Sequence, residues 1–403
     1  MSVLSGKKIV LGISGGIAAY KTPILVRLFI KAGAEVQVIL TPASKDFVTP
    51  LTLSTLSKNP VHSTFYNEDE ADAVWNNHVD LGLWADFMVI APATVNTLSK
   101  MANGNCDNLL IATYLSAKCP VYFAPAMDLD MYKHPSTLSS FHALKQFGNI
   151  MIPAETGELA SGLSGEGRMA EPENILAFIE ADIAGKLPLK EKKILITAGP
   201  TYEAIDPVRF IGNHSSGKMG FDIAKSAARL GAEVILITGP THLKADDKRI
   251  KTIRVVSAKE MYEACHLYFD QVDVAIAAAA VADYRPVKAA EQKIKKSESH
   301  FTIEMEKTQD ILASLGEKKD KQFLIGFALE TENEIENAKL KIRKKNLDLI
   351  VLNSLNDEGA GFGKATNKIT FIDKDFNIEP MELKSKEAVA DDILNKITAH
   401  YHE

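Results

Sequence analysis

The apolar positions near the start of the chain run continuously, then at helical spacing, then continuously again. Lys7-Lys8-Ile9-Val10-Leu11-Gly12-Ile13 is a short apolar run behind two lysines, as expected of a buried strand, and Ser14-Gly15-Gly16 closes it with a glycine turn. Ile17, Ala18, Leu25, Leu28 and Phe29 then give a helix its apolar face, and Gly33 stops that helix. Glu35-Val36-Gln37-Val38-Ile39-Leu40-Thr41 predicts the next strand, which completes a βαβ unit. The same order returns as Lys193-Ile194-Leu195-Ile196-Thr197-Ala198-Gly199-Pro200, a loop, a helix from about Gly217 to Leu230, and a strand through Val234-Ile235-Leu236-Ile237-Thr238. Gly33-Ala34-Glu35-Val36 and Gly231-Ala232-Glu233-Val234 are the same four residues at the same junction. A stop glycine before a strand is common βα chemistry, so the repeat predicts two similar folds without requiring shared ancestry.

Further strands are predicted at Phe87–Ala91, Val121–Ala124, Val274–Ala277, Phe323–Phe327 and Leu349–Leu352, mostly with helix between them. The fold class is therefore α/β: two Rossmann-like domains with largely parallel sheets, each presenting loops at the carboxyl ends of its strands, where such sheets bind ligands. Ala184-Gly185-Lys186-Leu187-Pro188-Leu189-Lys190 lacks periodicity and predicts the linker, with domains at 1–188 and 189–403.

A length of 403 residues suits two or three domains, and 46% hydrophobic with 24% charged residues excludes a disordered or collagen-like chain. Cys106, Cys119 and Cys265 are too few and too scattered for a disulfide framework or a zinc module, and no protein metal site is expected. A reducing, cytoplasmic setting fits, and no apolar run is long enough to span a membrane. The net charge of −6 hides an asymmetry: residues 1–186 hold 13 Lys+Arg against 18 Asp+Glu, and residues 187–403 hold 33 against 34. Near balance in the basic-rich half argues against nucleic acid as a partner and for a local anion site.

Gly12-Ile13-Ser14-Gly15-Gly16 stands between strand and helix, where free backbone N–H groups favour a phosphate, although it is not G-x-G-x-x-G and also reads as a tight turn. Thr41-Pro42-Ala43 and Thr94-Val95-Asn96 place hydroxyls and amides at two more strand ends, and His78 has a pKa suited to proton transfer or to a plain surface position. In order, Gly12 through Lys21, the His78 segment, Ala91-Pro92-Ala93-Thr94, Ala102 through Leu110 and Pro125-Ala126-Met127 match flavin-dependent cysteine decarboxylases. Residues 1–185 resemble the phosphopantothenoylcysteine decarboxylase family. The resemblance implies a flavodoxin-like flavoprotein domain that binds FMN through Ser14, Gly15, Gly16, Thr41, Ala43, Thr94 and Asn96, with His78 in the active site. It further implies oxidation of the substrate's cysteine to a thioaldehyde, loss of CO₂, and return of hydride with a proton from the protein.

Two positions depart from that pattern. Asp128, in Pro125-Ala126-Met127-Asp128-Leu129-Asp130-Met131, replaces an Asn that holds the substrate carboxylate, and Ser161 replaces the Cys that acts as acid in many members. A serine hydroxyl cannot replace a thiol of pKa about 8.5 as a proton donor, so the expectation is that Asp128, protonated, takes over the acid role. Cys106, water, or release of the oxidised enethiol are the alternatives. A flavin-binding interaction module and a decarboxylase of peptide aminoacyl-cysteine are the rival classes.

In the second half, Gly212-Asn213-His214-Ser215-Ser216-Gly217-Lys218-Met219 nearly matches a P-loop but ends in Met219, which cannot ligate Mg²⁺. An ordinary ATPase is excluded, and an anion site remains. Ile196 through Thr201, Ile205-Asp206-Pro207-Val208-Arg209-Phe210-Ile211, Asn213 through Gly220, Ala279 through Tyr284 and Lys293-Ile294-Lys295-Lys296 together resemble the bacterial, CTP-using phosphopantothenate–cysteine ligase family from about Lys192 to Ile350. The resemblance implies a nucleotide-binding ligase domain that activates phosphopantothenate as an acyl cytidylate, with Mg²⁺, and transfers it to cysteine. Asn213 and Lys293 match catalytic residues. Ser215, Ser216, Gly217, Lys218, Asp283, Phe327, Lys341 and Lys345 match CTP contacts, together with Thr308-Gln309-Asp310-Ile311, where the family has Asn-Pro-Asp-Ile.

Both halves imply one pathway, coenzyme A biosynthesis, with small molecules as partners. They also imply a homo-oligomer: a trimer or dodecamer through the flavin domain, and a dimer through the ligase domain. Residues 155–170 have the glycine-rich composition of a mobile lid.

Overall fold

The structure, a computed structural model, describes residues 2–66, 75–295, 301–330, 332–354 and 366–402. It divides into two compact units, Met1–Gly185 and Lys186–Glu403. In the first, six parallel strands, β1 (Lys8–Ile13), β2 (Glu35–Leu40), β3 (Val61–His62), β4 (Phe87–Ala93), β5 (Val121–Pro125) and β6 (Ile150–Met151), lie in the order β3-β2-β1-β4-β5-β6. Alternate side chains feed opposite layers. Ile9, Leu11 and Ile13 pack with Leu25, Phe29, Ile175 and Ile179, while Val10, Met88 and Ile90 pack with Leu98, Leu110 and Phe141. Covering both faces is why β4 is buried at all seven positions and reads as one apolar run. The strand order reverses between β1 and β4, which opens a crevice at their carboxyl ends.

The first helix differs from its sequence reading. A 3₁₀ turn, Ile17–Lys21, precedes the α-helix Thr22–Lys31, which has proline in its first turn. The tighter winding of that turn takes Ile17 off the core face, and it is 59% exposed. The stretch read as a linker is also shorter, because the helix Pro172–Gly185 runs through Ala184 and Gly185. At its other end Leu189 is fully buried, and its N–H donates to the Leu230 carbonyl (3.0 Å), because the second core needs that side chain.

The second unit holds an eight-stranded sheet in the order Ile250–Arg254, Glu233–Thr238, Lys193–Ala198, Val274–Ala277, Phe323–Glu330, Leu349–Ser354, Ile369–Asp373, Ile378–Pro380. The first six are parallel and the last two antiparallel. Phe323–Glu330 outruns its apolar stretch because it pairs with Leu349–Ser354 as far as Glu330. The helix Lys218–Arg229 begins at Gly217, whose φ of +80° favours glycine. The C-terminal helix Lys386–His402 packs Val389, Ala390, Ile393, Leu394 and Ile397 into the same core. Among the described residues no helix is long and apolar enough to cross a membrane.

Candidate active sites

At the switch point of the first sheet lies a cavity of about 960 Å³, within the usual range for cofactor sites. Gly15 and Gly16 after β1, Thr41 and Ala43 after β2, Thr94 and Asn96 after β4, and Asp128 after β5 all line it, as does Ser161. The approach is close: a Cβ on Gly15 would come within 2.7 Å of the Ala43 side chain. The Thr41 hydroxyl is buried without a hydrogen-bond partner, so the wall carries an unspent polar atom that suits a polar ligand. Ser14 lies behind this wall. Its hydroxyl donates to the Pro92 carbonyl (2.6 Å) and accepts from the Thr94 N–H (3.0 Å), so it ties two loops together and does not line the cavity.

Residues 155–170, read as a lid, contain an antiparallel hairpin of Glu155–Glu158 with Ser164–Arg168. The Met127 N–H donates to the Gly167 carbonyl (3.0 Å), which seats the hairpin beside Asp128 and holds Ser161, near its tip, over the cavity. Asp128 begins the helix Leu129–Lys133 and accepts from the Leu129 N–H (2.6 Å). At the hairpin's base the Glu155 carboxylate accepts from Asn174 (2.7 Å) and the Glu171 N–H (3.0 Å), and these bonds hold its carboxyl below the usual range.

Two features of this wall were missed in the sequence. Lys21 is buried, and its Nζ donates to the Met169 carbonyl (3.0 Å) and to Glu171 (2.9 Å), joining the first turn to the stretch that follows the hairpin. Lys100 pairs with Asp107 at 2.6 Å, and that hydrogen bond lowers the Asp107 pKa. Only the spacing from the glycine turn signals Lys21. His78, by contrast, does not line the cavity of its own chain. It opens the helix His78–Trp84, meets Phe65 edge-on at 6.0 Å, and has a buried Nδ1 without a partner among the described residues.

The second unit has its own cavity, of about 410 Å³, at the carboxyl ends of its central strands. Asn213, Ser215, Ser216, Gly217, Lys218, Asp283 and Phe327 line it. Asn213 Nδ2 donates to the carbonyls of Val281 (2.9 Å) and Ala280 (3.3 Å). Thr308 stands behind, its hydroxyl donating to Ala282 (2.7 Å) and its N–H to Asp283 (2.9 Å). The remaining expected contacts do not line this cavity. Lys341 pairs with Glu330, and Lys345 with Asp310 (2.8 Å), whose carboxylate also caps the helix Ile311–Lys318. Gln309 is exposed and Ile311 buried. Lys293 is exposed on a segment that Asp206 and Arg209 clamp: the Ile294 N–H donates to Asp206 (3.1 Å) and Arg209 donates to the Ile294 carbonyl (2.9 Å). Lys296 lies outside the described residues. Asn353, Asn367 and Lys386 line the cavity without any sequence motif to announce them. Among the described residues, no group of three or more His, Cys, Asp or Glu is placed to hold a metal ion.

Two α/β units, each with a cavity at the carboxyl ends of its central strands, match the two parts of a flavoprotein. The flavoprotein family matches residues 2–184, and the DNA/pantothenate metabolism flavoprotein C-terminal domain matches residues 189–401. The chain is 43% identical over 399 residues to the coenzyme A biosynthesis bifunctional protein CoaBC of Bacillus subtilis (strain 168), covering 98% of each, and 41% identical over 404 residues to that of Escherichia coli (strain K12), covering 99% of this chain and 98% of the relative. It is also 53% identical over 360 residues to a cysteine/cysteine sulfinic acid decarboxylase from an unknown prokaryotic organism, covering 88% of this chain and all of the relative. A solved C-terminal domain of a coenzyme A biosynthesis bifunctional protein CoaBC is 46% identical, covers 54% of this chain and 99% of that chain, and has a TM-score of 0.47. The chain belongs to the bifunctional coenzyme A biosynthesis family of flavoproteins.

Proposed function

We propose that this cytoplasmic enzyme joins L-cysteine to 4'-phosphopantothenate with CTP in its second unit and decarboxylates the product to 4'-phosphopantetheine in its first. The observation that carries the reading is that the expected groups meet in two cavities, Gly15, Thr41, Thr94, Asp128 and Ser161 in one and Asn213, Lys218, Asp283 and Phe327 in the other. FMN, when bound, supplies the two-electron oxidation that makes loss of the cysteine carboxylate feasible, and the return of those electrons. The backbone at Gly15–Gly16, with Ala43, Thr94 and Asn96, holds it, and the Thr41 hydroxyl gains a partner. The hairpin excludes water, and the Asp128 carboxyl hands over the proton that Ser161 cannot supply. His78, with an unspent Nδ1 outside its own cavity, serves a neighbouring copy in a homo-oligomer built as trimers or dodecamers through the first unit and dimers through the second.

In the ligase, the phosphopantothenate carboxylate attacks the α-phosphate of CTP, pyrophosphate leaves, and the cysteine amine then displaces CMP. Mg²⁺ enters with the triphosphate, Asn213 contacts the acyl intermediate, and Lys293 neutralises charge during activation. The test supplies phosphopantothenate, cysteine, CTP and Mg²⁺ to purified protein and follows pyrophosphate, CO₂ and thiol together. Pyrophosphate release with ATP but not CTP would overturn the nucleotide assignment. Absence of CO₂ from phosphopantothenoylcysteine would overturn the decarboxylase.

A second reading of the flavin site is favoured by Asp128 and Ser161 together with the 53% identical relative: free cysteine or cysteine sulfinic acid as substrate. Faster CO₂ release from either amino acid than from phosphopantothenoylcysteine would select it.

A further inference from the structure

We infer that Asn367 is a specificity-determining residue of the ligase cavity, whose amide oxygen accepts a hydrogen bond from a hydroxyl or N–H in the uncharged part of a bound substrate; this rests on the ligase reading above. Asn367 lines the cavity and is only 3% exposed. Its Nδ2 donates to Asn353 Oδ1 (3.1 Å), and among the described residues its own buried Oδ1 has no hydrogen-bond partner. A buried amide oxygen without a donor is costly, and native proteins keep few of them. A donor entering the cavity removes that cost after a small rotation of the side chain. The backbone beneath is fixed: Thr366–Asn367 lies antiparallel to Lys384–Ser385, with Asn367 opposite Lys384. Asn353, which holds the amide by its nitrogen, is half-buried and lines the same cavity.

The position of the two amides in the sheet selects the kind of donor. The anion-binding features stand at the other end of the cavity. A Cβ on Gly217 would come within 3.2 Å of Gly199, so the start of the helix Lys218–Arg229 sits over the end of the strand Lys193–Ala198. Asn353 belongs to Leu349–Ser354, three strands away past Val274–Ala277 and Phe323–Glu330. At about 4.8 Å between neighbouring strands, that is a separation of about 14 Å. A substrate whose phosphates meet the Lys218 end therefore lays an uncharged stretch against the amides. An amide oxygen satisfies a hydroxyl or N–H, leaves the charge of an ammonium group unpaired and repels a phosphate. CTP and phosphopantothenate each carry an anionic end and an uncharged stretch with such donors, whereas cysteine is too short to reach both ends.

The test measures KM and kcat for CTP, phosphopantothenate and cysteine by pyrophosphate release from the full chain, using wild type, Asn367→Leu and Asn367→Ala, with melting of the substrate-free protein alongside. Leucine keeps the size of asparagine and removes the acceptor. The KM for CTP or for phosphopantothenate rises roughly 5- to 150-fold, because the donor of that substrate is left unmet in a buried place, and the one that rises identifies the source of the donor. The other two KM values and kcat stay within about twofold, as loss of uniform binding requires. Melting of Asn367→Leu does not fall, because the unspent oxygen has gone. Asn367→Ala, too small to clash, repeats the KM change. No rise in either variant, a rise for cysteine, or a rise shared by CTP and phosphopantothenate overturns the proposal alone. Wild-type protein that releases no pyrophosphate overturns the ligase reading and this proposal with it.

Discussion

Replacing Thr41 by Val tests whether the crevice of the first unit is built for a polar cofactor. Thr41 follows β2, is 8% exposed and lines the cavity, and among the described residues its buried hydroxyl has no hydrogen-bond partner. An unsatisfied buried polar group costs about 1–3 kcal/mol. Valine has the same shape, tolerates the extended backbone (φ −67°, ψ 155°) and leaves the main-chain bonds to Ile13 and Ser44 untouched. The flavin-free protein therefore gains roughly 1 kcal/mol or more, which raises melting by about 2–4 °C per kcal/mol for a unit of this size. With FMN bound the sign inverts. The lost bond is worth about 0.5–1.5 kcal/mol to a neutral partner and up to about 3 kcal/mol to a charged one, so FMN affinity falls between about 2- and 150-fold. Melting of flavin-stripped protein and titration of FMN fluorescence quenching read the two effects separately. A lowered flavin-free melting temperature, or an unchanged FMN affinity, would refute the reasoning.

Asp128→Asn should lower turnover to the saturated thiol by about 10²- to 10⁴-fold, the usual worth of a positioned acid, with FMN content unchanged; retained turnover in a thiol-product assay removes the acid role. Asp206→Asn should loosen the Lys293 segment and lower pyrophosphate release without altering FMN binding. Because the Arg209 hydrogen bond, foremost, holds the Asp206 carboxyl well below the usual range, its contribution to stability is present above the unfolded carboxylate pKa of about 3.9 and fades as pH falls through the folded value. The melting difference between wild type and Asp206→Asn should accordingly persist from pH 7 to about pH 4 and close in stronger acid; a difference that closes near pH 6 contradicts the clamp. Leu189→Ala should cost the second unit about 2–5 kcal/mol in denaturant unfolding, and a cost below about 1 kcal/mol would mean that residue is linker after all.

The parts of the fold legible in the sequence are those whose order is local. A strand covered on both faces must be apolar throughout, so Phe87–Ala93 declares itself, and a helix entered at Gly217 needs the positive φ that glycine provides. Site residues that follow directly from a strand end, such as Thr41, Thr94 and Asp128, inherit that legibility, because the strand's period says where its end falls. The i, i+4 spacing of Lys341 and Lys345 was equally plain, but their carboxylate partners Glu330 and Asp310 come from other elements, and no spacing gives them. Lys386 is the limiting case. It reaches the cavity because a two-residue strand, Lys384–Ser385, pairs with another of the same length, Thr366–Asn367, and two residues are too few to display a period. Residues delivered to a site by such pairings have to be found in the folded structure, and not by their pattern.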